Sequence, residues 1–179
     1  HDLYHFCLFQ NGVPIFVDAG RKDYDQSKWS WGKFGLSPKA HNSVMIDGIG
    51  CLPENYGRYP NKYIDSQNRT EIKNSSDAVI IIIESSCFKR LSTSIKLTRK
   101  FILHSTRMII EDQFIGKGVH NISFFFHFSP EIELKKLDDQ SWKIISDKVE
   151  GKFSMDLHDG SKVVHERGED SYFGWTVPA

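Results

Sequence analysis

An excess of charge of either sign is the first thing missing: 23 Lys and Arg face 23 Asp and Glu along 179 residues, a formal net charge of zero. That balance argues against a chain built to coat nucleic acid or an anionic membrane surface, which needs a basic surplus. It leaves room for a local basic cleft that takes an anionic polysaccharide. Cysteine is scarce. Cys7, Cys51 and Cys87 form an odd set without C-x-x-C spacing, which implies neither a disulfide framework nor a zinc ribbon. Cys7 alternates with strand residues and reads as a buried thiol. No stretch approaches the ~18 apolar residues of a membrane span. Helical periodicity is missing too, because no segment keeps an i, i+3, i+4 apolar pattern over three turns. Internal repeats and low-complexity tracts are absent.

What the sequence has is alternation. Leu3 to Gln10 and Val13 to Asp18 read as strands joined at Asn11-Gly12, a strong hairpin signal. Asn42 to Ile46 is a third strand, ending at Asp47-Gly48. Further strands are expected over Ala78–Ser85, Thr93–His104, Arg107–Phe114, His120–Phe128, Trp142–Ser146, Lys152–Leu157 and Lys162–His165. Two irregular stretches interrupt them, residues 19–40 and 49–68, and loops of that length inside a compact domain are commonly functional. Regular strands with turn chemistry between them predict an all-β, antiparallel β-sandwich. The length suits a single domain over residues 1–179. With no initiating Met, no signal peptide and a start inside a strand pattern, the chain reads as a piece cut at both ends from a longer one.

Chemistry concentrates in the first fifty residues. Asp18 closes the second strand and His41 stands just before the third, so sheet pairing sets a carboxylate and an imidazole at neighbouring strand ends, the makings of a metal site. Each also has a plain structural reading: Asp18 in Val17-Asp18-Ala19-Gly20 as a turn former, and His41-Asn42 as a hydrogen-bonded pair on a loop rim. Strand alternation puts Asp2, Tyr4 and Phe6 on one face and His1, Leu3, His5 and Cys7 on the other. Asp2 and His5 are accordingly not expected to share a direct role, and His5 is read as a packed or hydrogen-bonded histidine. In the long loop, Tyr24, Trp29, Trp31 and Phe34 mix with Arg21, Lys22, Lys28 and Lys33. Aromatic rings among cations suit glycan stacking and carboxylate pairing, or equally a lid on a neighbouring domain. Phe124 to Phe128 reads as a core strand whose His127 faces a cleft or solvent. Three Asn-x-Ser/Thr triplets, at Asn68, Asn74 and Asn121, match the glycosylation sequon, a pattern common by chance.

Asp2 and Phe6, Asn11-Gly12, Val17-Asp18-Ala19-Gly20, Tyr24, Ala40-His41-Asn42-Ser43-Val44 and Asp47-Gly48 occur in an order that resembles the C-terminal β domain of the heparinase II/III-like polysaccharide lyases. Arg99-Lys100-Phe101, Ile110-Glu111-Asp112 and His127-Phe128-Ser129-Pro130 are similar to later strands of that domain. The resemblance implies a supersandwich-like β-sandwich paired with an N-terminal α/α toroid that lies upstream of this chain. It implies β-elimination on uronic-acid glycans, with an acidic polysaccharide as substrate and zinc as cofactor. It makes Asp18 and His41 metal ligands and Asp2 a support that orients a ligating His. Beside them Asn42 is read as a further support, Tyr24 as the catalytic candidate of the long loop, and its Arg21, Trp29 and Trp31 as contacts to substrate. In this register both histidines of the family signature precede residue 1. The metal set is therefore expected to be incomplete here, zinc weakly held, and the isolated chain inactive. A bacterial periplasmic or secreted setting follows from the same likeness, with no nucleic-acid or membrane partner. Two rival readings stand beside it: a non-catalytic carbohydrate-binding sandwich, and a degenerate family member serving exopolysaccharide assembly.

Overall fold

In a computed structural model the chain is described over residues 3–20, 31–51, 68–157 and 161–163. It is nearly all β, in antiparallel sheets, of the β-sandwich class. The elements are β1 (Leu8–Gln10), β2 (Val13–Phe16), a five-residue helix α1 (Trp31–Gly35), a 3-10 turn at Pro38–Ala40, β3 (Val44–Ile46), β4 (Arg69–Asn74), β5 (Ala78–Ser85), a 3-10 turn at Cys87–Arg90, β6 (Ile95–His104), β7 (Met108–Gly116), β8 (Ile122–Phe124), β9 (Glu133–Asp138), β10 (Ser141–Ile145) and β11 (Glu150–Ser154). No described helix is long and apolar enough to cross a membrane.

The chain folds into two compact units, each drawn from two stretches: residues 1–4 with 44–124, and residues 5–43 with 125–179. In the first unit β4-β5-β6-β7 form a meander, and β3 pairs with β8. Apolar residues of one face of the meander, Leu97, Ile83 and Phe114, pack with Tyr4, Val44, Ile46, Phe88, Leu91 and Ile95. Buried in the same unit is an ion pair. Arg99, fully buried, donates from Nε and Nη2 to the two oxygens of Asp112 at 2.8 Å each, and from Nη1 to the Tyr4 carbonyl at 3.0 Å. Every charged atom thus has a partner, which a buried charge needs if it is to be tolerated. The Tyr4 hydroxyl donates to the Leu97 carbonyl, and burial pushes its phenol far above the ordinary value.

In the second unit β1 and β2 form the first hairpin and β9-β10-β11 a three-stranded sheet. The hairpin turns at Asn11-Gly12 with φ of 52° and 78°, the two positive values that a tight primed turn requires. Its core is Val13, Ile15, Phe16, Ile132 and Ile144, with Phe6, Phe126, Phe128 and Phe153 packed against it. Ring pairs such as Phe16–Phe128, with centroids 4.5 Å apart, fill the centre.

Several expectations are corrected. Cys51 and Cys87 form a disulfide, closing a sequence separation of 36, although the odd count suggested none. Cys7 is exposed, not buried. Residues 3–7 are not strand, because Tyr4 adopts a left-handed φ of 73° that ends the alternation assumed from Leu3 onward. The long loop holds α1 and a 3-10 turn, and Ser161–Val163 are not strand. Strands β4 and β9 were not anticipated. His127 is buried, not turned to solvent.

Candidate metal centre

Asn42 organises the site. Its side chain is fully buried and spends every polar atom: Nδ2 donates to the carbonyls of Phe6 at 2.7 Å and Val17 at 3.0 Å, and Oδ1 accepts the His127 backbone N–H at 2.6 Å. These bonds tie the two arms of the first hairpin to the segment after β8 that carries Phe125 to Phe128. Neighbouring backbone contacts, Val17 N–H to the His127 carbonyl at 2.9 Å and Ser129 N–H to the Ile15 carbonyl at 2.9 Å, continue the join. The 3-10 turn at Pro38–Ala40, capped by Ser37 Oγ on the Lys39 N–H, delivers His41 to the end of β2. His127 holds that turn from the other side, its Nε2–H donating to the Lys39 carbonyl at 2.8 Å. Burial drives the His127 imidazole down to about 4, against the pull of that carbonyl, so the ring is neutral at pH 7.

On this frame sits the cluster. His41 Nδ1 donates to Asp18 Oδ2 at 2.7 Å, His5 Nε2 lies 3.2 Å from the same oxygen, and the Gly20 N–H donates to Asp18 Oδ1 at 2.6 Å. The Gly20 amide meets the carboxylate because Gly20 adopts a φ of 68°, tightening the turn after Asp18. Partial burial pushes the Asp18 carboxyl up, but the His41 and Gly20 donors and the two imidazoles outweigh it and hold it below its ordinary value. One ligating atom from each of His5, Asp18 and His41 lies within 4.8 Å of the others. Two imidazoles and a carboxylate are the donors zinc takes, and three protein ligands with an open fourth position make a catalytic rather than a structural set.

The tautomers differ. The Asn42 backbone N–H donates to His5 Nδ1 at 3.0 Å, so the His5 proton sits on Nε2, the atom facing the cluster. His41 carries its proton on Nδ1, facing the carboxylate. Cys7 Sγ lies 3.4 Å from His5 Nε2. Burial, and then the Asp18 charge, push that thiol up, which keeps it protonated and a poor ligand.

The structure thus brings Asp18, His41 and Asn42 together. It adds His5, read from the sequence as a packed or hydrogen-bonded histidine, and His127, whose position next to a Phe-rich strand had suggested a cleft. Asp2, Arg21, Tyr24 and Trp29 lie outside the described residues. Trp31 opens α1, and its side chain is likewise outside them.

Antiparallel β architecture together with an imidazole–carboxylate cluster at a hairpin end defines a β-sandwich domain with a metal-competent centre. The chain matches the family model described as heparinase II/III-like, C-terminal, over residues 1–177, and it belongs to that family, one of polysaccharide lyases. No curated protein and no solved structure matches it.

Proposed function

We propose that this chain is the β-sandwich part of a lyase that cleaves uronic-acid glycans by β-elimination, and that His5, Asp18 and His41 hold a zinc ion there. The observation that carries the metal reading is the convergence of three ligating atoms within 4.8 Å on a frame fixed by Asn42. Bound zinc would supply a fixed positive charge and a Lewis acid at the hairpin end. Elimination needs the uronate carboxylate neutralised, a base for the proton beside it, and an acid for the leaving oxygen. In this chain Tyr24 is assigned to proton transfer, Arg21 to the carboxylate, and Trp29 and Trp31 to stacking against sugar rings; Asp2 joins Asn42 in supporting the ligands. The remaining catalytic groups are assigned to a helical domain of the same protein, which leaves residues 1–179 inactive by themselves.

Family membership supports the acidic polysaccharide as substrate. The Cys51–Cys87 disulfide supports a periplasmic or secreted setting, since such bonds persist where the surroundings are oxidising. The experiment is a calorimetric zinc titration of the chain and of Asp18→Ala, with glycan digestion by the longer protein followed through its unsaturated product. Zinc uptake that Asp18→Ala leaves unchanged overturns the metal assignment. A longer protein that binds uronate glycans and cleaves none shifts the reading to a binding or assembly role.

A further inference from the structure

A second aspartate–histidine pair lies in the other unit. Asp47 follows β3, and His120 precedes β8. His120 Nδ1 donates to Asp47 Oδ2 at 2.7 Å, and the Asn121 N–H donates to Asp47 Oδ1 at 2.9 Å. Beyond the ring, Nε2 lies 3.0 Å from Thr93 Oγ1 and 2.9 Å from the Lys117 carbonyl. Hydroxyl, imidazole and carboxylate thus stand in the order of a hydrolytic relay. While Nε2 faces the Lys117 carbonyl it carries a proton, because a carbonyl only accepts, and a lone pair for the hydroxyl appears only when that proton is lost.

Both ring nitrogens therefore face acceptors, and an imidazole satisfies two acceptors when it carries two protons. We propose that His120 is a proton-operated clamp within the Lys117–Asn121 turn: bound to Asp47 in both states, as an imidazolium it also holds the Lys117 carbonyl, and on losing its proton it releases that carbonyl. The groups around the ring define both states. Asp47 supplies the charge that acts on it, Lys117 is exposed, and Thr93 and Gly118 are uncharged neighbours. In the charged state Nδ1–H is on Asp47 and Nε2–H on Lys117. In the neutral state Nδ1–H stays on the carboxylate. The Thr93 hydroxyl then reverses and donates to the Nε2 lone pair, and Lys117 loses its donor. The hydrogen bond to Asp47 and then the Lys117 carbonyl raise the His120 pKa above the ordinary imidazole value. The clamp is closed below the ordinary value and opens as pH rises through the raised one.

Side-chain 1H–15N spectra of the whole chain across pH, with His120 assigned through His120→Gln, test this directly. His120 should titrate above an ordinary histidine, and the Lys117 carbonyl 13C shift should move with the same midpoint. Asp47→Asn should lower that midpoint. Thr93→Val should raise it further, because the neutral ring loses its donor. A wild-type midpoint at or below the ordinary value, a Lys117 carbonyl shift that stays flat through the titration, or a Thr93→Val midpoint that falls, each overturns the clamp.

Discussion

Asp18–His41 and Asp47–His120 share one motif, Nδ1 to Oδ2 at 2.7 Å with a backbone N–H on the other carboxylate oxygen, and they differ in what meets the pair beyond it. Around Asp47 the far ring nitrogen meets a carbonyl and a hydroxyl, so the pair is consumed in joining two pieces of its own unit. Around Asp18 a second imidazole arrives on the same oxygen, and three ligating atoms crowd one point. A buried carboxamide holds the second arrangement in place, and the first has no counterpart of it in the hydrogen bonds described above. The proposed ligand site therefore differs from the proposed clamp in what is brought to the third side of the pair, and in how rigidly the frame delivers it.

Removing that frame should have the largest effect. Asn42→Ala takes from the Phe6 and Val17 carbonyls and the His127 N–H the buried side-chain contact each makes with Asn42. Unmet buried groups cost about 1–3 kcal/mol each, less whatever water or relaxation recovers. The expected loss is about 3–5 kcal/mol in urea denaturation. Thr93→Val beside the other pair should cost about 1 kcal/mol, within the range of one neutral hydrogen bond. Equal losses at the two positions would erase the distinction.

Acid should separate the units next, through their histidines. His127 is neutral in the fold with its pKa lowered to about 4. Between the ordinary imidazole value and that one, the unfolded chain takes up a proton that the fold refuses. Stability therefore falls as pH drops through this window, by roughly 3 kcal/mol at its lower end. His120 has the opposite sign: its folded pKa is raised, so it contributes stability at low pH and loses it as pH rises through the raised value. Unfolding free energy measured against pH in His127→Gln should show a shallower decline over the acid window than in the wild type.

How much of this was legible in the sequence depends on which forces set each element. The Asn11-Gly12 hairpin was readable because its turn demands two positive φ angles that Asn and Gly supply locally. β5 and the β6–β7 pair were readable from apolar runs bounded by turn residues. β4 and β9 were not: Arg69–Asn74 and Glu133–Asp138 are edge strands, mostly exposed, and a lone Ile72 in the first and Leu134 and Leu137, three apart, in the second make no period-2 alternation. Their pairing is dictated by the neighbouring strand. Asp18 and His41 could be picked out because they flank a loop between strands. His5 escaped because one left-handed residue, Tyr4, shifts the face of everything after it, and the carbonyl of Tyr4 is held by Arg99, a residue 95 positions away. The disulfide escaped for a similar reason, since 36 residues of separation carry no local signal.

Metal affinity tests the comparison itself. Asp18→Asn should weaken zinc binding by ~100-fold, because the carboxamide is a far poorer ligand than the carboxylate and cannot accept the His41 proton with the same strength. Asp47→Asn, with the same chemical change in the matching motif, should leave the zinc isotherm unchanged. A comparable loss in both would mean that zinc binding reports general stability and not the cluster.

The smallest effect distinguishes the two imidazoles of the cluster. His41 is oriented by a carboxylate on Nδ1, which leaves the Nε2 lone pair as the ligating site. His5 is oriented by a donor, the Asn42 N–H, which occupies the Nδ1 lone pair and forces the proton onto Nε2. To ligate through Nε2, His5 must shed that proton while Nδ1 still faces an N–H, or give up the Asn42 contact and turn. Either route costs free energy that His41 does not spend. His5→Ala should therefore weaken zinc by ~10-fold and His41→Ala by ~100-fold, within the range of ligand and supporting-residue losses at such sites. Cobalt substitution read in the visible band gives the same order without relying on turnover. Were His5→Ala the more damaging change, the Asn42 N–H bond to Nδ1 could not describe the metal-bound state, and His5 would be the principal ligand.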